Sequence, residues 1–448
     1  MSESYDLIIK GGDVVTPNGT EKIDVGVKGG RIIALGNLDG ATSKEEYDAT
    51  GQHVLPGAID TQVHFREPGL EHKEDLACGT AAAALGGIVA IFEMPNTNPN
   101  TLGPVELADK LARCENRAWT DHAFFIGAAE ENVDELGELE KLPGCAGIKI
   151  FMGSSTGSLL VEEEGLLVEV LKNGTRRCPV HAEDENRLRE RFALVRDGAE
   201  PTMHPIWRDP EAAVLATTRI CRLARQTGRR VHVLHITSKD EMPILAANKD
   251  LVTVETTPQH LTLSAPECYE RLGTFAQMNP PIRDEEHRLG LWEGIRTGIV
   301  DVLGSDHAPH TLEEKQKPYP ASPSGMPGVQ TLMPLMLDHV NKGNLSLERL
   351  VDLTSSGPAR IYNIAGKGRI ACGFDADFTI VDMDKKETIT KDWLAYKCGW
   401  SPFEGVTVKG WPMATIIRGA VVMKDGELIG DPQGKPVRFT DTEPAKNA

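Results

Sequence analysis

Short apolar runs alternate with longer amphipathic segments through the middle of the chain. The runs have the length and the Gly/Pro boundaries of buried strands, and segments such as 104–114 and 210–227 have the apolar spacing of helices. Eight strand-then-helix units within roughly 310 residues are typical of a (β/α)8 barrel. The eight predicted strands are residues 54–59, 87–93, 122–128, 147–152, 178–182, 230–236, 252–257 and 299–304.

A doubly wound parallel sheet is the alternative architecture for the same alternation. Its dinucleotide-binding form opens a helix with a Gly-x-Gly-x-x-Gly turn, because the glycines let the backbone approach a pyrophosphate. No such turn opens a helix in this sequence. The pattern therefore favours an α/β fold in which residues 54–366 form a TIM-like barrel.

Shorter apolar runs separated by glycine turns occupy both ends of the chain, which is typical of a small sheet domain. We expect residues 1–53 and 367–448 to form one composite β-sheet domain. Within it, the polar stretch 430–448 is expected to be a loose tail. The runs that predict strands are residues 5–10, 24–27, 31–35, 377–382, 414–418 and 420–423.

The composition is that of a globular protein, with 448 residues of which 40% are hydrophobic and 25% charged. A net charge of -18 argues against binding to nucleic acids or membrane surfaces, because both need clustered basic residues. Neither an apolar signal core nor a membrane-length apolar stretch is present. Eight cysteines are scattered without Cys-x-x-Cys spacing. We therefore expect reduced thiols in a cytoplasmic protein.

Reactive side chains recur at the C-terminal ends of the predicted strands, which is the face where barrel active sites lie. A single histidine there could be a satisfied core residue, but the repetition on several strands favours a common site. His232 and His260 fit this placement less well and are expected to be structural. The candidates are His64, Arg66, Asn96, Lys149, His181, His235, Asp306 and His310.

Lys149 lies inside an apolar strand, where an ammonium group without a partner is costly. One interpretation is a buried salt bridge or a lysine whose amine reaches out to solvent. The other is carboxylation, in which the deprotonated amine adds carbon dioxide and becomes a carbamate that can bridge two cations. Carboxylation would convert a costly cation into an anion that a metal neutralises.

Arg66 and Asp306 also allow two interpretations each. Arg66 is a two-pronged donor suited to a substrate carboxylate, or it pairs with Glu67 or Glu71. Asp306 either caps the following helix or is catalytic. Its position between Ser305 and a His-Ala-Pro-His run favours the catalytic role.

Several segments together resemble the cyclic amidohydrolases, most closely the dihydroorotases, over nearly the whole chain. The most discriminating is Val63-His64-Phe65-Arg66-Glu67-Pro68-Gly69, because the arginine of this block meets the substrate carboxylate in dihydroorotases. Allantoinases and dihydropyrimidinases share the barrel and the lysine but usually lack this arginine block. The other matching segments are residues 93–97, 278–283, 305–310 and 325–328.

The resemblance implies a role for each candidate. It implies one or two zinc ions, or another divalent metal, with Lys149 as a carboxylated bridge and Asp306 as both ligand and proton carrier. The implied metal ligands are His64, Lys149, His181, His235 and Asp306. The implied substrate-binding residues are Arg66, Asn96, Asn279 and His310. Some dihydroorotases use an aspartate after the fourth strand in place of the lysine, but residues 152–157 contain no acid, which favours Lys149.

The activity that the resemblance implies is reversible hydrolysis of dihydroorotate to N-carbamoyl-aspartate in pyrimidine biosynthesis. The substrate is a small molecule, and relatives often pair, so a homo-oligomer, possibly a dimer, is expected. One alternative is a cyclic amidase of the hydantoinase or allantoinase type. Another is a catalytically weakened scaffold that supports aspartate transcarbamoylase.

Gln62 departs from the family pattern Asp-x-His-x-His-x-Arg, since it stands where the first histidine belongs. Residues 62 and 64 of a strand point to the same side, so two imidazoles at these positions would coordinate one metal ion together. Three interpretations stay open. The amide oxygen binds one metal weakly, or the site holds a single metal, or the chain is the inactive scaffold.

Overall fold

The chain begins with short strands joined by tight turns, as its glycine spacing predicts. The computed structural model describes residues 4–154, 159–196 and 198–442. Strands β5, β4, β1 and β6 form a four-stranded sheet in that order. The strands that precede the barrel are β1 (Ser4–Lys10), β2 (Asp13–Thr16), β3 (Gly19–Lys22), β4 (Asp24–Lys28), β5 (Arg31–Gly36), β6 (Thr42–Asp48) and β7 (His53–Pro56).

Eight parallel strands form the centre of the molecule and confirm the predicted (β/α)8 barrel. Each pairs with the next in sequence, and a bridge between Val63 and His307 closes the ring. These strands are β8 (Ala58–Val63), β9 (Ile88–Glu93), β10 (Asp121–Gly127), β11 (Cys145–Phe151), β12 (Cys178–His181), β13 (Val231–Val233), β14 (Val252–Thr256) and β15 (Val302–Leu303).

The first barrel strand differs from the prediction. The predicted run 54–59 is divided at Gly57, so that β7 belongs to another sheet and β8 opens the barrel. Both pieces are buried, and the apolar pattern therefore runs through the division without a break. As a result, β8 extends to Val63, directly before His64.

Helices follow the barrel strands and cover their outer face. The predicted helices Pro104–Cys114 and Pro210–Thr227 are confirmed, the second with Asp209 as its N-cap and Gly228 in the left-handed conformation at its end. None of the helices in the described ranges is both long and apolar enough to cross a membrane. The remaining α-helices are Leu76–Leu85, Leu136–Leu139, Glu164–Lys172, Glu185–Arg191, His204–Trp207, Met242–Ala246, Pro258–Thr262, Glu267–Leu272, Glu285–Arg296, Leu312–Lys315, Leu332–Asn341, Leu347–Val351 and Gly357–Ile361.

The strands of the two chain ends form two sheets, and the larger one combines strands from both ends, which confirms the predicted composite β-sheet domain. The last strands are β16 (Phe378–Thr388), β17 (Thr407–Ile417), β18 (Ala420–Lys424) and β19 (Glu427–Leu428). They join β7, β2 and β3 in a seven-stranded sheet, separate from the four-stranded one. Leu7 and Ile9 of one sheet share an apolar core with Phe378 and Ile380 of the other. The domain boundaries at 53/54 and 366/367 stay a prediction.

The C-terminal segment is packed where the sequence predicts a loose tail. Val437 and Phe439 are buried, and the Phe439 ring lies 5.7 Å from that of Phe92. Pro436 bridges to His122 at the start of β10, so this segment covers the end of the barrel opposite the candidate side chains. Residues 443–448 lie outside the described ranges. All eight cysteines are free thiols, as predicted.

The buried carboxyl group of Glu74 should make the stability of the fold depend on pH. Its carboxylate is fully buried and accepts hydrogen bonds from the backbone N–H groups of Lys397 and Asp75, at 3.1 and 3.2 Å. Burial raises its pKa from the usual 4.5 to about 8. A raised pKa in the folded state contributes stability below pH 4.5 that is lost as the pH rises through about 8.

A Glu74→Gln variant should therefore lose less stability than the wild type between about pH 6 and about pH 9, because the amide cannot ionise. Urea unfolding midpoints at the two pH values measure this difference. Equal losses in the two proteins would show that Glu74 does not ionise in this interval.

Candidate active site

The candidate side chains meet at the C-terminal end of the barrel. Lys149 is the exception to the strand-end placement, since it lies within β11, two residues before the end of that strand. Their positions along the barrel are His64 and Arg66 after β8, Asn96 after β9, Lys149 within β11, His181 at the end of β12, His235 after β13, and Asp306 and His310 after β15.

Asp306 lies at the centre of one group of contacts. Its Oδ1 is 3.1 Å from Gln62 Nε2 and 3.2 Å from His64 Nε2. Gln62 is therefore aimed into the site, at the carboxylate predicted to carry the proton. The predicted alternative that Asp306 caps a helix is wrong, because Thr311 is the N-cap of the next helix.

His181 and His235 form a second group. Nδ1 of His181 lies 3.1 Å from Nε2 of His235, and both rings are buried. Burial lowers the pKa of both residues, well below the usual value in the case of His235. Two neutral imidazoles with facing nitrogens can point their lone pairs at a single ion.

Glu183 and Arg208 hold His181 in place, and sequence reasoning assigned a role to neither. The carboxylate of Glu183 lies 2.8 Å from His181 Nε2 and also binds the guanidinium of Arg208. Burial would raise the pKa of Glu183, but Arg208 and His181 hold it well below its usual range. The ionised carboxylate therefore accepts the Nε2 proton and leaves Nδ1 of His181 as the free acceptor. One signal was available, since residues 181 and 183 of an extended chain point to the same side.

Lys149 is only 1% exposed, and no salt bridge among the described residues includes it. Its Nζ lies 4.5 Å from the centre of the Phe151 ring, and burial lowers its pKa to about 7. The predicted alternatives of a buried salt bridge and of an amine that reaches solvent are therefore wrong. A lysine that loses its proton near neutral pH is chemically competent to add carbon dioxide.

Arg66 is buried without a carboxylate partner among the described residues, and the predicted alternative of an ion pair with Glu67 or Glu71 is wrong. Glu67 instead binds Arg117, at 2.8 Å, and Arg113. Arg66 donates its Nε–H to the Pro309 carbonyl at 3.2 Å. A buried guanidinium of this kind has donors left over for an anion.

His310 and Arg66 lie beside an ion pair of Lys73 and Glu314, with 3.0 Å between its charged atoms, and sequence reasoning missed Lys73 because it lies in a charged loop. Lys73 Nζ lies 3.2 Å from His310 Nδ1. An ammonium group only donates, so Nδ1 accepts, and the Nε2–H of His310 can donate to the Ser324 carbonyl at 3.1 Å. Burial lowers the pKa of His310 to about 3, and Arg66 and Lys73 act in the same direction.

The two predicted asparagines have different surroundings. Asn96 Oδ1 lies 2.8 Å from His64 Nδ1, so this side chain contacts a predicted metal ligand. Asn279 Oδ1 lies 3.2 Å from His204 Nε2 and lines a cavity of about 490 Å³. Arg208 and residues 320–324 line the same cavity.

Backbone strain marks the same site. Seven non-glycine residues of the described chain have positive φ, and three of them are Arg66, His235 and Asp306, at 66°, 34° and 45°. Such conformations are costly and persist where the surrounding structure enforces them, which is common at functional sites. His260, by contrast, has hydrogen-bond partners for both ring nitrogens, in Thr257 and the Pro280 carbonyl, as expected for a structural residue.

The donor set suits a divalent metal ion. Two ligand nitrogens at 2.0–2.1 Å from a tetrahedral zinc lie roughly 3.4 Å apart, close to the separation in the His181–His235 pair. Within the described ranges no group of three His, Cys, Asp or Glu side chains gathers around one point. A carbamate on Lys149 would be a ligand of a kind outside this set. Residues 155–157 of the acid-free segment lie outside the described part of the chain.

Comparisons with known proteins agree with this architecture. The sequence matches the amidohydrolase family over residues 162–422 and the dihydro-orotase-like family over residues 51–241. It is 35% identical to a dihydroorotase of Methanothermobacter thermautotrophicus, over 91% of this chain and 92% of the relative. It is 32% identical to an allantoinase of Desulfitobacterium hafniense, over 97% and 99%. Its fold is similar to that of an L-hydantoinase from Arthrobacter aurescens, with a TM-score of 0.92 and 29% identity over 97% and 99% of the chains.

The barrel and the site thus define an enzyme that hydrolyses cyclic amides. The chain belongs to the amidohydrolase family, and within it to the dihydroorotase-like group.

Proposed function

We propose that this chain is a dihydroorotase, which opens the ring of dihydroorotate to N-carbamoyl-aspartate and closes it in reverse. Arg66 is the observation that carries the proposal. It is a buried guanidinium that pairs with no carboxylate of the described chain and lies beside His310 at the candidate site. Dihydroorotate differs from a neutral ring such as dihydrouracil by one carboxylate, and Arg66 would bind that carboxylate.

In the proposed mechanism one residue, Asp306, carries the proton that moves from water to the leaving nitrogen. Asp306 accepts the proton of the attacking water and then delivers it to the ring nitrogen that leaves. His181, His235 and Lys149 would hold a divalent metal, zinc in the first instance, which supplies Lewis-acid activation of the water and the amide carbonyl. Arg66 and His310 bind the ring carboxylate and fix the scissile bond in place. Asn96 and Asn279 complete the substrate contacts.

A hydantoinase or allantoinase is the second candidate function, because the L-hydantoinase and the allantoinase cover nearly the whole chain. Those substrates lack the ring carboxylate and would leave the Arg66 donors unused. An inactive scaffold is less well supported, since it predicts decay of the site. Here the side chains on five barrel strands keep buried, mutually hydrogen-bonded positions.

A substrate comparison tests the proposal. The zinc-loaded protein is assayed with dihydroorotate, dihydrouracil, hydantoin and allantoin on one preparation, and metal per chain is measured on the same sample. We expect kcat/KM for dihydroorotate to exceed that for dihydrouracil by about 100-fold or more, because only dihydroorotate engages Arg66. Preference for a neutral ring would contradict the proposal.

The contact between Glu183 and His181 gives a further prediction. Glu183→Gln keeps the shape but removes the charge that orients the His181 ring, so metal affinity should fall by about 10- to 100-fold. Competition with a chelator measures this affinity, and Glu185→Gln, on the adjacent helix, is the matched control. Unchanged affinity in Glu183→Gln would exclude the orienting role.

A cytoplasmic location and a homo-oligomeric, possibly dimeric, state belong to the same proposal. The location follows from the metabolic role of the proposed reaction, and the oligomeric state follows from relatives that often pair. Sedimentation velocity of the full chain measures the oligomeric state.

A further inference from the structure

The hydrogen bonds around Asp306 bear on the number of metal ions in the site, an inference that rests on the proposed function. A carboxylate oxygen only accepts, so the Gln62 atom 3.1 Å from Asp306 Oδ1 is the amide nitrogen. His64 Nε2 approaches the same oxygen at 3.2 Å. Asn96 Oδ1 only accepts, so the His64 nitrogen 2.8 Å from it, Nδ1, carries the proton, and Nε2 of the neutral ring presents a lone pair.

The Gln62 amide is therefore the donor to this carboxylate oxygen, whereas His64 faces it with a lone pair. A metal ion shared by residues 62, 64 and 306 would need lone pairs from all three. Gln62 instead turns an N–H group toward Asp306, while its Oε1 is buried and has no hydrogen-bond partner among the described residues. The Gln62 hydrogen bond thus occupies one lone pair of Asp306, and residue 62 supplies an N–H group to that carboxylate where an imidazole would supply a lone pair to a metal ion.

The opposite side of the site has complementary chemistry. His181 Nδ1 and His235 Nε2 face each other at 3.1 Å, and the carboxylate of Glu183 fixes the His181 tautomer so that Nδ1 is an acceptor. Lys149 lies buried without an ion pair in the described chain. Metal-binding capacity is therefore concentrated on the His181–His235 side.

We infer that this enzyme takes a single metal ion on the His181–His235 side, and that Gln62 is a positioning residue which holds Asp306 by a hydrogen bond. Gln62 acts through Asp306 and touches neither substrate nor metal. Its amide N–H binds the carboxylate of a residue whose backbone φ is 45°.

Metal counting on the full chain tests the number of ions. Wild type loaded with Mn²⁺ and dialysed should hold one ion per chain and give an uncoupled EPR spectrum. Gln62→His should hold two ions and give an exchange-coupled spectrum, because it restores the second imidazole. Gln433→His, at an exposed position, is the matched control and should stay at one ion.

Each other result of this experiment contradicts a distinct claim. Two ions or a coupled spectrum in the wild type would overturn the inference and would mean that the Gln62 amide oxygen binds metal. A single ion in Gln62→His would overturn the claim that residue 62 decides the count. No ion in either protein would contradict the metal dependence of the proposed function itself.

Kinetics test the positioning role separately. Gln62→Leu removes the donor at similar size, so the ion count should stay at one while kcat falls about 10-fold with little change in KM. The pH–rate profile should also shift, because the environment of the proton carrier has changed. Wild-type kcat and an unchanged profile in Gln62→Leu would overturn the positioning role.

Discussion

Replacement of Asp306 by Asn should reduce kcat for dihydroorotate by about 10³-fold, within the range that general acid–base catalysis contributes. The amide can neither accept the proton of the attacking water nor return it to the ring nitrogen. Asn is the matched replacement because it also tolerates the positive φ of 45° at this position. We therefore expect the thermal unfolding midpoint to stay the same.

Steady-state kinetics and thermal unfolding on the same samples measure both effects. Asp240→Asn is the control, since it makes the same chemical change at an exposed position and should leave kcat at the wild-type level. Wild-type turnover in Asp306→Asn would exclude this residue as the proton carrier. A lowered unfolding midpoint would instead indicate a structural role.

Replacement of Arg66 by Gln should lower kcat/KM for dihydroorotate by about 100-fold or more, because the substrate carboxylate loses a charge-assisted, two-pronged contact. The residual activity toward dihydrouracil should be nearly unchanged, since that ring carries no carboxylate. The comparison of two substrates on one variant separates substrate binding from general damage to the site.

Arg113→Gln is the control, because it removes a guanidinium that binds Glu67, the residue next to Arg66. Arg113 binds Glu67, which keeps Arg117 as a partner, so activity toward both substrates should stay at the wild-type level. An equal loss of both activities in Arg66→Gln would mean that Arg66 supports the structure of the site. No loss in either would remove the main support for an acidic substrate.

Much of the fold could be predicted because barrel strands leave a local signal. Parallel strands buried on both faces read as apolar runs, and side chains such as His181 and Asp306 stand out at their ends. The two sheets of the chain ends could not be separated, since alternation reveals a buried face but not its partner. For the same reason the burial of Phe439 depends on a contact with Phe92 that is remote in sequence.

The roles within the site were harder to predict because they depend on partners. The sequence placed Gln62 near the site, but only the structure shows its amide nitrogen beside Asp306. Arg208 is far from His181 in sequence and acts on it through Glu183, so no local pattern could indicate it. The absence of an ion pair at Arg66 also required the structure, because two acids lie close by in the sequence.

Ring closure tests the central claim most directly. The metal-loaded wild type is incubated with N-carbamoyl-aspartate, and in parallel with N-carbamoyl-β-alanine, which lacks the carboxylate that Arg66 is proposed to bind. The account predicts formation of dihydroorotate from the first compound, much slower formation of dihydrouracil from the second, and loss of the first reaction in Arg66→Gln. Closure of N-carbamoyl-β-alanine alone, with N-carbamoyl-aspartate unchanged, would contradict it.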